Sequence, residues 1–462
     1  MVSIPRICFA FISIFSFSVC HANLLNSADN ISNEASAASL ASQESPAPSL
    51  PSASPSVRKI KKRTLKNPKL DVQDNKYRQD LVEEVKSEKP PEIEAVKLFE
   101  WEIIYKYELM RNTHGGVEVG TTELSNLDIK AKVNLDQFSW GKGLSGYIEG
   151  MGNYGSFSTD KVGDIQTSSN IEAPNMFFLY QAWVEKSILQ DMFSVLVGLY
   201  EVNSEFYVTN TSLLFLNSSF GIGSELAISG ANGPSTFPYT SLTARAKINF
   251  PNSIYALWSV SDGVPGNPPH ATSNNIKWDS TEGLLFMTEV GTTSPISENE
   301  KAPEVFSKFG IGVWGYTGSF DPVDDQSGEI AQGNYGLYAI YDKTTSPRFS
   351  YFIRAGYANA VVSTVMANWS AGFNYRAPLS WREKDILGIG ITDALLSSGY
   401  RRAQERDGIP MAIRETAMET TYRISVWEDF AVQPSYQYIV NPGGDKNLAN
   451  AHVVTLHLEF GI

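Results

Sequence analysis

Beyond residue 22 the 462-residue chain carries four histidines, His114, His270, His452 and His457, and no cysteine. None of the histidines stands at a metal-binding spacing from another, and no Gly-x-Ser-x-Gly turn is present. Nucleophilic and metal-assisted catalysis need such groups within hydrogen-bond reach of one another, so the sequence argues against an enzyme and implies no cofactor. The groups left to do chemistry are guanidinium, ammonium, amide and carboxylate side chains: Arg245 and Lys247, Arg354, Arg376, Glu419 and Arg423, Gln433 and Gln437. Such groups can form paired hydrogen bonds with neighbouring hydroxyls of a small polar solute. Their plainer role is to wet a polar surface and to pair with one another across neighbouring strands.

The elements that carry them repeat with period two. In residues 242–250, Leu242, Ala244, Ala246, Ile248 and Phe250 alternate with Thr243, Arg245, Lys247 and Asn249. Residues 101–109 set Trp101, Ile103, Tyr105, Tyr107 and Leu109 against Glu102, Lys106 and Glu108. Residues 418–426 set Met418, Tyr422, Ile424 and Val426 against Glu419, Thr421 and Arg423. Alternation of this kind marks amphipathic strands. The polar faces are too charged for a dry core, because unpaired buried charge is costly; they suit a water-filled lumen, and the apolar faces suit lipid. Trp101, Trp140, Tyr154, Trp183, Trp369 and Tyr436 lie at segment ends, where a barrel in a membrane carries its aromatic girdles. After residue 22 no apolar run approaches the roughly 20 residues of a membrane helix, and the mean hydropathy is −0.18.

Sixteen such segments start near residues 101, 122, 143, 177, 192, 241, 253, 283, 307, 335, 349, 367, 385, 414, 430 and 452. The expected fold is all-β: a transmembrane antiparallel up-and-down β-barrel of about 16 strands, built from residues 96–462. Pro251-Asn252, Ser346-Pro347 and Trp427-Glu428-Asp429 read as short turns, and residues 267–275 and 321–333 as extracellular loops. The last strand sets Val454, Leu456, Leu458, Phe460 and Ile462 against Val453, Thr455, His457 and Glu459. On that parity a charge at Leu458 should impair assembly far more than one at Thr455, which would enter the lumen. Residues 203–239 are too long for a turn, and 213–220 are too apolar for an exposed loop. This segment is expected to fold inward and narrow the lumen.

The first 95 residues differ in kind. Arg6, the apolar run 7–19 and Cys20-His21-Ala22 form a charged, an apolar and a small-residue region in turn, the pattern of a secretory signal peptide removed after Ala22. Residues 23–95 contain one aromatic, Tyr77, and are rich in Ser, Ala, Pro, Lys and Glu. They bury too little apolar surface to order themselves, so a low-complexity, basic, disordered extension is expected on the periplasmic side. Within it Tyr77, Leu81 and Val85 recur every four residues before Pro90-Pro91, which suits one short helix. The extension reads as a solvated linker, with a tether, an oligomer contact or a plug as alternatives.

Residues 1–95 hold 12 basic and 11 acidic side chains of the chain's 37 and 50, which leaves the remainder at a net charge of −14. That balance disfavours nucleic acid and an anion or phosphate pore. It does not separate a sugar pore from a general, weakly cation-preferring diffusion porin.

Residues 198–221 read GLYEVNSEFYVTNTSLLFLNSSFG, followed by Gly230-Ala231-Asn232-Gly233-Pro234 and Phe237-Pro238. Further on stand Ser261-Asp262-Gly263, Glu415, Glu419 and Tyr422, Gln433-Pro434, Gln437-Tyr438-Ile439 and Asn441-Pro442-Gly443-Gly444. These blocks closely resemble the carbohydrate-selective porin family (OprB type), and the likeness runs through residues 96–462. Glu201 stands where that family more often has Asp. The resemblance implies a sixteen-stranded barrel in the bacterial outer membrane that lets glucose-like sugars diffuse across. Small sugars, outer-membrane lipid and lipopolysaccharide, and the barrel-assembly machinery are the expected partners, with monomer and homo-oligomer both open. A barrel adhesin or enzyme is the remote alternative.

Overall fold

The computed structural model describes residues 98–136, 138–266, 276, 278–279, 281–294, 306–324 and 330–462. The expected signal peptide, the basic run, the short helix before Pro90 and the loop at 267–275 lie outside the described residues, as does 325–329 of the loop at 321–333.

Sixteen strands follow one another along the chain. The first eight are β1 (Phe99–His114), β2 (Gly120–Asn134), β3 (Leu144–Gly155), β4 (Met176–Ile188), β5 (Phe193–Tyr200), β6 (Ser241–Phe250), β7 (Ile254–Asp262) and β8 (Leu284–Thr293). The second eight are β9 (Phe306–Phe320), β10 (Ala331–Ser346), β11 (Phe349–Ala358), β12 (Val365–Arg376), β13 (Ile386–Leu396), β14 (Arg414–Ser425), β15 (Phe430–Val440) and β16 (Ala451–Gly461). Each expected start falls within four residues of a strand's first residue. Each strand pairs antiparallel with its chain neighbours, and β1 pairs with β16, so the sheet closes and leaves no edge. In lipid that closure is obligatory, because no water is there to satisfy an unpaired strand edge.

Parity sorts the side chains as the period-two pattern requires. Leu337, Ile353, Val454 and Leu456 stand exposed on the outer face, whereas Tyr338, Asp342, Arg354 and His457 are buried on the inner one. Trp140, Trp381 and Trp427 sit exposed in or beside the short turns at one end. Tyr154, Tyr335 and Tyr357 are exposed near the strand ends at the opposite end of the barrel. These are the two girdles.

The lumen is not simply filled with water. Residues 201–240, between β5 and β6, fold into it as short turns of helix (Val202–Ser204, Thr211–Leu214, Ser218–Phe220 and Ser224–Ala227). Val202, Phe206, Tyr207, Ile222 and Leu226 bury against luminal Tyr255, Leu257, Met287, Trp314, Tyr316 and Tyr338. Each side chain of that size stabilises by about 1.5–3 kcal/mol when taken from water, so the segment has a hydrophobic core of its own inside the barrel. Further round, the wall makes room by omitting side chains. A Cβ on luminal Gly390 would lie 2.9 Å from the Phe220 ring, and one on Gly388 would lie 2.7 Å from Leu214.

A second connection, residues 156–175 between β3 and β4, also enters the lumen. Val162 and Ile171 pack with luminal Met110, Leu124, Ala417, Ile439 and Val453. The two inward segments meet: the Asn170 N–H donates to the Leu216 carbonyl at 2.7 Å, and the Ser218 N–H donates to the Thr167 carbonyl at 3.0 Å.

Candidate functional site in the barrel lumen

Buried carboxylates of the wall hold the inward segments through their backbone N–H groups. Glu419 on β14 accepts from Leu216 and Asn217 at 2.9 and 3.0 Å, and from the Ser435 hydroxyl at 2.9 Å. Glu415, four residues earlier on the same face of β14, accepts from Ile165, Gln166 and Gly443. Asp342 on β10 accepts from Thr211, and Glu289 on β8 accepts from Tyr207. Hydrogen bonds to an ionised group are roughly twice as strong as neutral ones, which makes this an effective way to fix a loop in a polar interior.

Among the groups outside the strands, three carboxyls respond to this enclosure. Burial pushes Glu225, whose Oε1 accepts from Tyr207 at 2.8 Å, up to about 7. Burial, together with the nearby Glu415 and Glu172 charges, pushes Asp164 up to about 8. Burial also raises Glu201, partly offset by the facing Tyr180 hydroxyl and by hydrogen bonds from the Phe237 N–H and Thr236.

What the segments leave open is a cavity of about 970 Å³. One wall is charged and amide-bearing, with Lys106, Asn126, Asp128, Lys130 and Glu149 from β1–β3 and Arg423, Gln433, His457 and Glu459 from β14–β16. The inward segment adds apolar surface, with Leu213, Leu214, Phe215, Ile222, Ile228 and Phe237, and sets Glu201, Asn203, Asn210, Thr211 and Thr236 among them. Lys106 pairs with Asp128 at 3.2 Å and Arg423 with Glu459 at 2.7 Å. Such a space offers hydrogen-bonding groups and surfaces suited to C–H groups together.

The eight residues singled out from the sequence divide in two. Arg376, Arg423 and Gln433 line the cavity, although Gln433 also donates to the Leu214 carbonyl at 2.7 Å. The other five lie inside the barrel but serve the packing of the inward segments. Arg354 is 1 % exposed; its donors go to Ser370 at 2.7 Å and to the Gly221 and Ser219 carbonyls. Arg245 pairs with Glu185 and Glu205, and Lys247 with Glu205, which fixes the start of the segment. Glu419 holds the segment's middle, as above. Gln437 donates to the Ser168 carbonyl at 2.7 Å and accepts from Asn217 at 3.2 Å, tying both segments to β15. Parity identified the inward side chains but not the ones that two incoming loops would cover. Missed from the sequence were the cavity residues Lys106, Asn126, Asp128, Glu149 and Phe237, although the first two strands' alternation places Lys106 and Asp128 on the luminal face.

A closed sixteen-strand barrel with an apolar belt, two aromatic girdles and a lumen narrowed by inward connections defines an outer-membrane channel protein. Residues 119–461 match the family model described as carbohydrate-selective porin, OprB family. The chain belongs to that family, and with it to the bacterial outer membrane. It is 21% identical over 341 residues to Porin B of Pseudomonas aeruginosa, covering 66% of this chain and 74% of that one. The high-pH structure of Pseudomonas putida OprB superposes with a TM-score of 0.70 at 17% identity, covering 84% of this chain and 97% of the other. At that identity the likeness speaks for the fold alone.

Proposed function

We propose that the protein is a passive, non-catalytic channel for small sugars of glucose type, and that solute crosses the cavity between the charged wall and the inward segment. The observation that carries this reading is the cavity's mixed lining, in which charged and amide groups stand beside apolar side chains. A pyranose has hydroxyls around its edge and C–H groups on its faces, so it meets hydrogen-bonding groups and an apolar surface together. Arg376, Arg423 and Gln433 are the sugar contacts among the residues chosen from the sequence. Arg245, Lys247, Arg354, Glu419 and Gln437 act on the sugar path by holding the segments that shape it. An Arg fork offers paired donors that an ammonium cannot reproduce, while net gains of about 0.5–3 kcal/mol per contact keep binding weak. A pore requires weak binding, since tight binding would stop release.

In the same proposal residues 1–22 direct export and are removed, 23–95 extend into the periplasm, and 96–462 form the barrel. The assembly machinery inserts it, lipopolysaccharide surrounds its outer rim, and monomer or homo-oligomer remain to be distinguished by mass measurement in detergent. The test of function is ion current through single channels during glucose titration. Glucose should block the current partially and reversibly, and Arg376→Gln or Arg423→Gln should weaken that block several-fold. Current indifferent to glucose would instead indicate a general diffusion pore.

A further inference from the structure

The lumen departs from regular alternation where β4 bulges against β3. Glu149 pairs with Gln181 and Gly150 with Leu179, which leaves Tyr180 as the extra residue. An inserted residue re-aims its neighbours, and here Tyr180 and Gln181 both reach the inside. Gln181 uses both ends of its amide: Nε2 donates to Glu149 at 2.7 Å and Oε1 accepts from the Glu201 N–H at 3.1 Å. Glu149 and Glu201 therefore share one stretch of cavity wall with Tyr180 and Phe237. The remaining donors to them are neutral: Tyr147 to Glu149 at 3.0 Å, and Thr236 at 3.3 Å with the Phe237 N–H to Glu201. Among the described residues neither carboxylate forms an ion pair, because nearby Lys106 and Lys130 are paired with Asp128 and Glu102. Tyr180 is 3 % exposed, and its hydroxyl, which faces Glu201, makes no well-formed hydrogen bond.

We propose that this bulge builds a subsite for the ammonium group of a protonated amino sugar. Glu149 and Glu201 supply the counter-charge, the Tyr180 hydroxyl accepts a further hydrogen bond, and the Phe237 ring lies against the sugar's C–H face. The inference rests on the sugar-channel reading above and narrows it. An ammonium brings three donors and a positive charge; among the described residues neither carboxylate has an ion-pair partner, since Lys130, opposite Glu149 across β2 and β3, pairs with Glu102. A carboxylate-bearing sugar would meet two like charges there.

The test is the half-blocking concentration of glucosamine, N-acetylglucosamine, glucose and glucuronate on channels of the full-length protein in planar bilayers. Glucosamine should block at a concentration about ten-fold below N-acetylglucosamine, the factor by which a charge-assisted hydrogen bond exceeds a neutral one. Glucuronate should block least. Glu149→Gln with Glu201→Gln should bring the ratio of glucosamine to N-acetylglucosamine to about one, and alkaline pH, which removes the ammonium proton, should do the same in the unaltered protein. That second comparison needs no variant, so poor folding of the double substitution leaves the test intact. Equal half-blocking concentrations for the two amino sugars in the unaltered protein, with glucose still blocking, would overturn the subsite and leave the sugar channel standing. No block by any of the four would overturn both.

Discussion

Glu419→Ala tests whether the constriction is held in place by wall carboxylates or stands by itself. The substitution removes the acceptor of three hydrogen bonds, two of them from the backbone N–H groups of Leu216 and Asn217. A hydrogen bond to a charged group contributes about 1.5–3 kcal/mol, so the two backbone bonds set a gross loss of about 3–6 kcal/mol. Relief of the buried carboxylate's desolvation offsets part of that loss, and water admitted to the vacated space can serve the freed N–H groups. A net cost of about 2–3 kcal/mol to the pinned conformation raises the released population roughly 30- to 160-fold. The release should be local, because Asp342 still holds Thr211 and Arg354 still holds Gly221. The wall itself should keep its stability, since its ladder is untouched. Single-channel recording should therefore show larger and noisier conductance, with unheated gel mobility unchanged. Glu419→Gln, which keeps one acceptor oxygen but turns an amide donor toward the other N–H, should fall between. Conductance and noise identical to the unaltered channel would refute the clamp. Reduced glucose block at unchanged conductance would return Glu419 to the role of a sugar contact.

Glu225 predicts a pH effect of definite sign. Its carboxyl sits at about 7 in the fold against an ordinary 4.5, so the folded segment holds a proton that the released segment gives up. The stabilising contribution is fully present below pH about 4.5 and is lost as pH rises through about 7, a change of at most roughly 3 kcal/mol. Open-channel noise should rise across that window, and Glu225→Gln should flatten the profile; a profile unchanged by the substitution would contradict the assignment. On the outer face, Leu456→Arg should cost about 2–4 kcal/mol at mid-membrane depth and lower the yield of heat-modifiable barrel. Thr344→Arg, which opens onto the cavity, should not, and equal losses would mean the parity is misread.

The barrel was legible because strand after strand repeats one physical choice, apolar outward with polar groups inward, and the repetition reinforces a weak signal even where the inner face of β7–β10 is partly apolar. The inward course of residues 203–239 was legible for a different reason: Leu213, Leu214, Phe215 and Phe220 would otherwise meet water in an exposed loop. Residues 156–175 carried no such mark, since Ser, Thr, Asn and Asp make up half of them and their deeply packed apolar anchors, Val162, Ile171 and Ala173, are scattered. Their signature lay in the wall, where Glu415 and Gln437 occupy luminal positions whose hydrogen bonds run in part to this second incoming backbone. Gly388 and Gly390, both luminal, likewise announce that something fills the space beside them. Thr455 shows the cost of parity without these clues. It does point inward, but it is 1 % exposed beneath the packed segments, so Thr455→Arg would crowd a filled interior rather than enter open water. The bulge at Tyr180 was invisible for a related reason: strict alternation has no place for an inserted residue.

Liposome swelling tests the central claim most directly. Purified protein in vesicles should admit glucose several-fold faster than a zwitterionic amino acid of similar size, because the cavity offers a pyranose hydrogen-bonding groups and apolar surface together. Equal rates for the two solutes would contradict a sugar path and leave a size-limited pore.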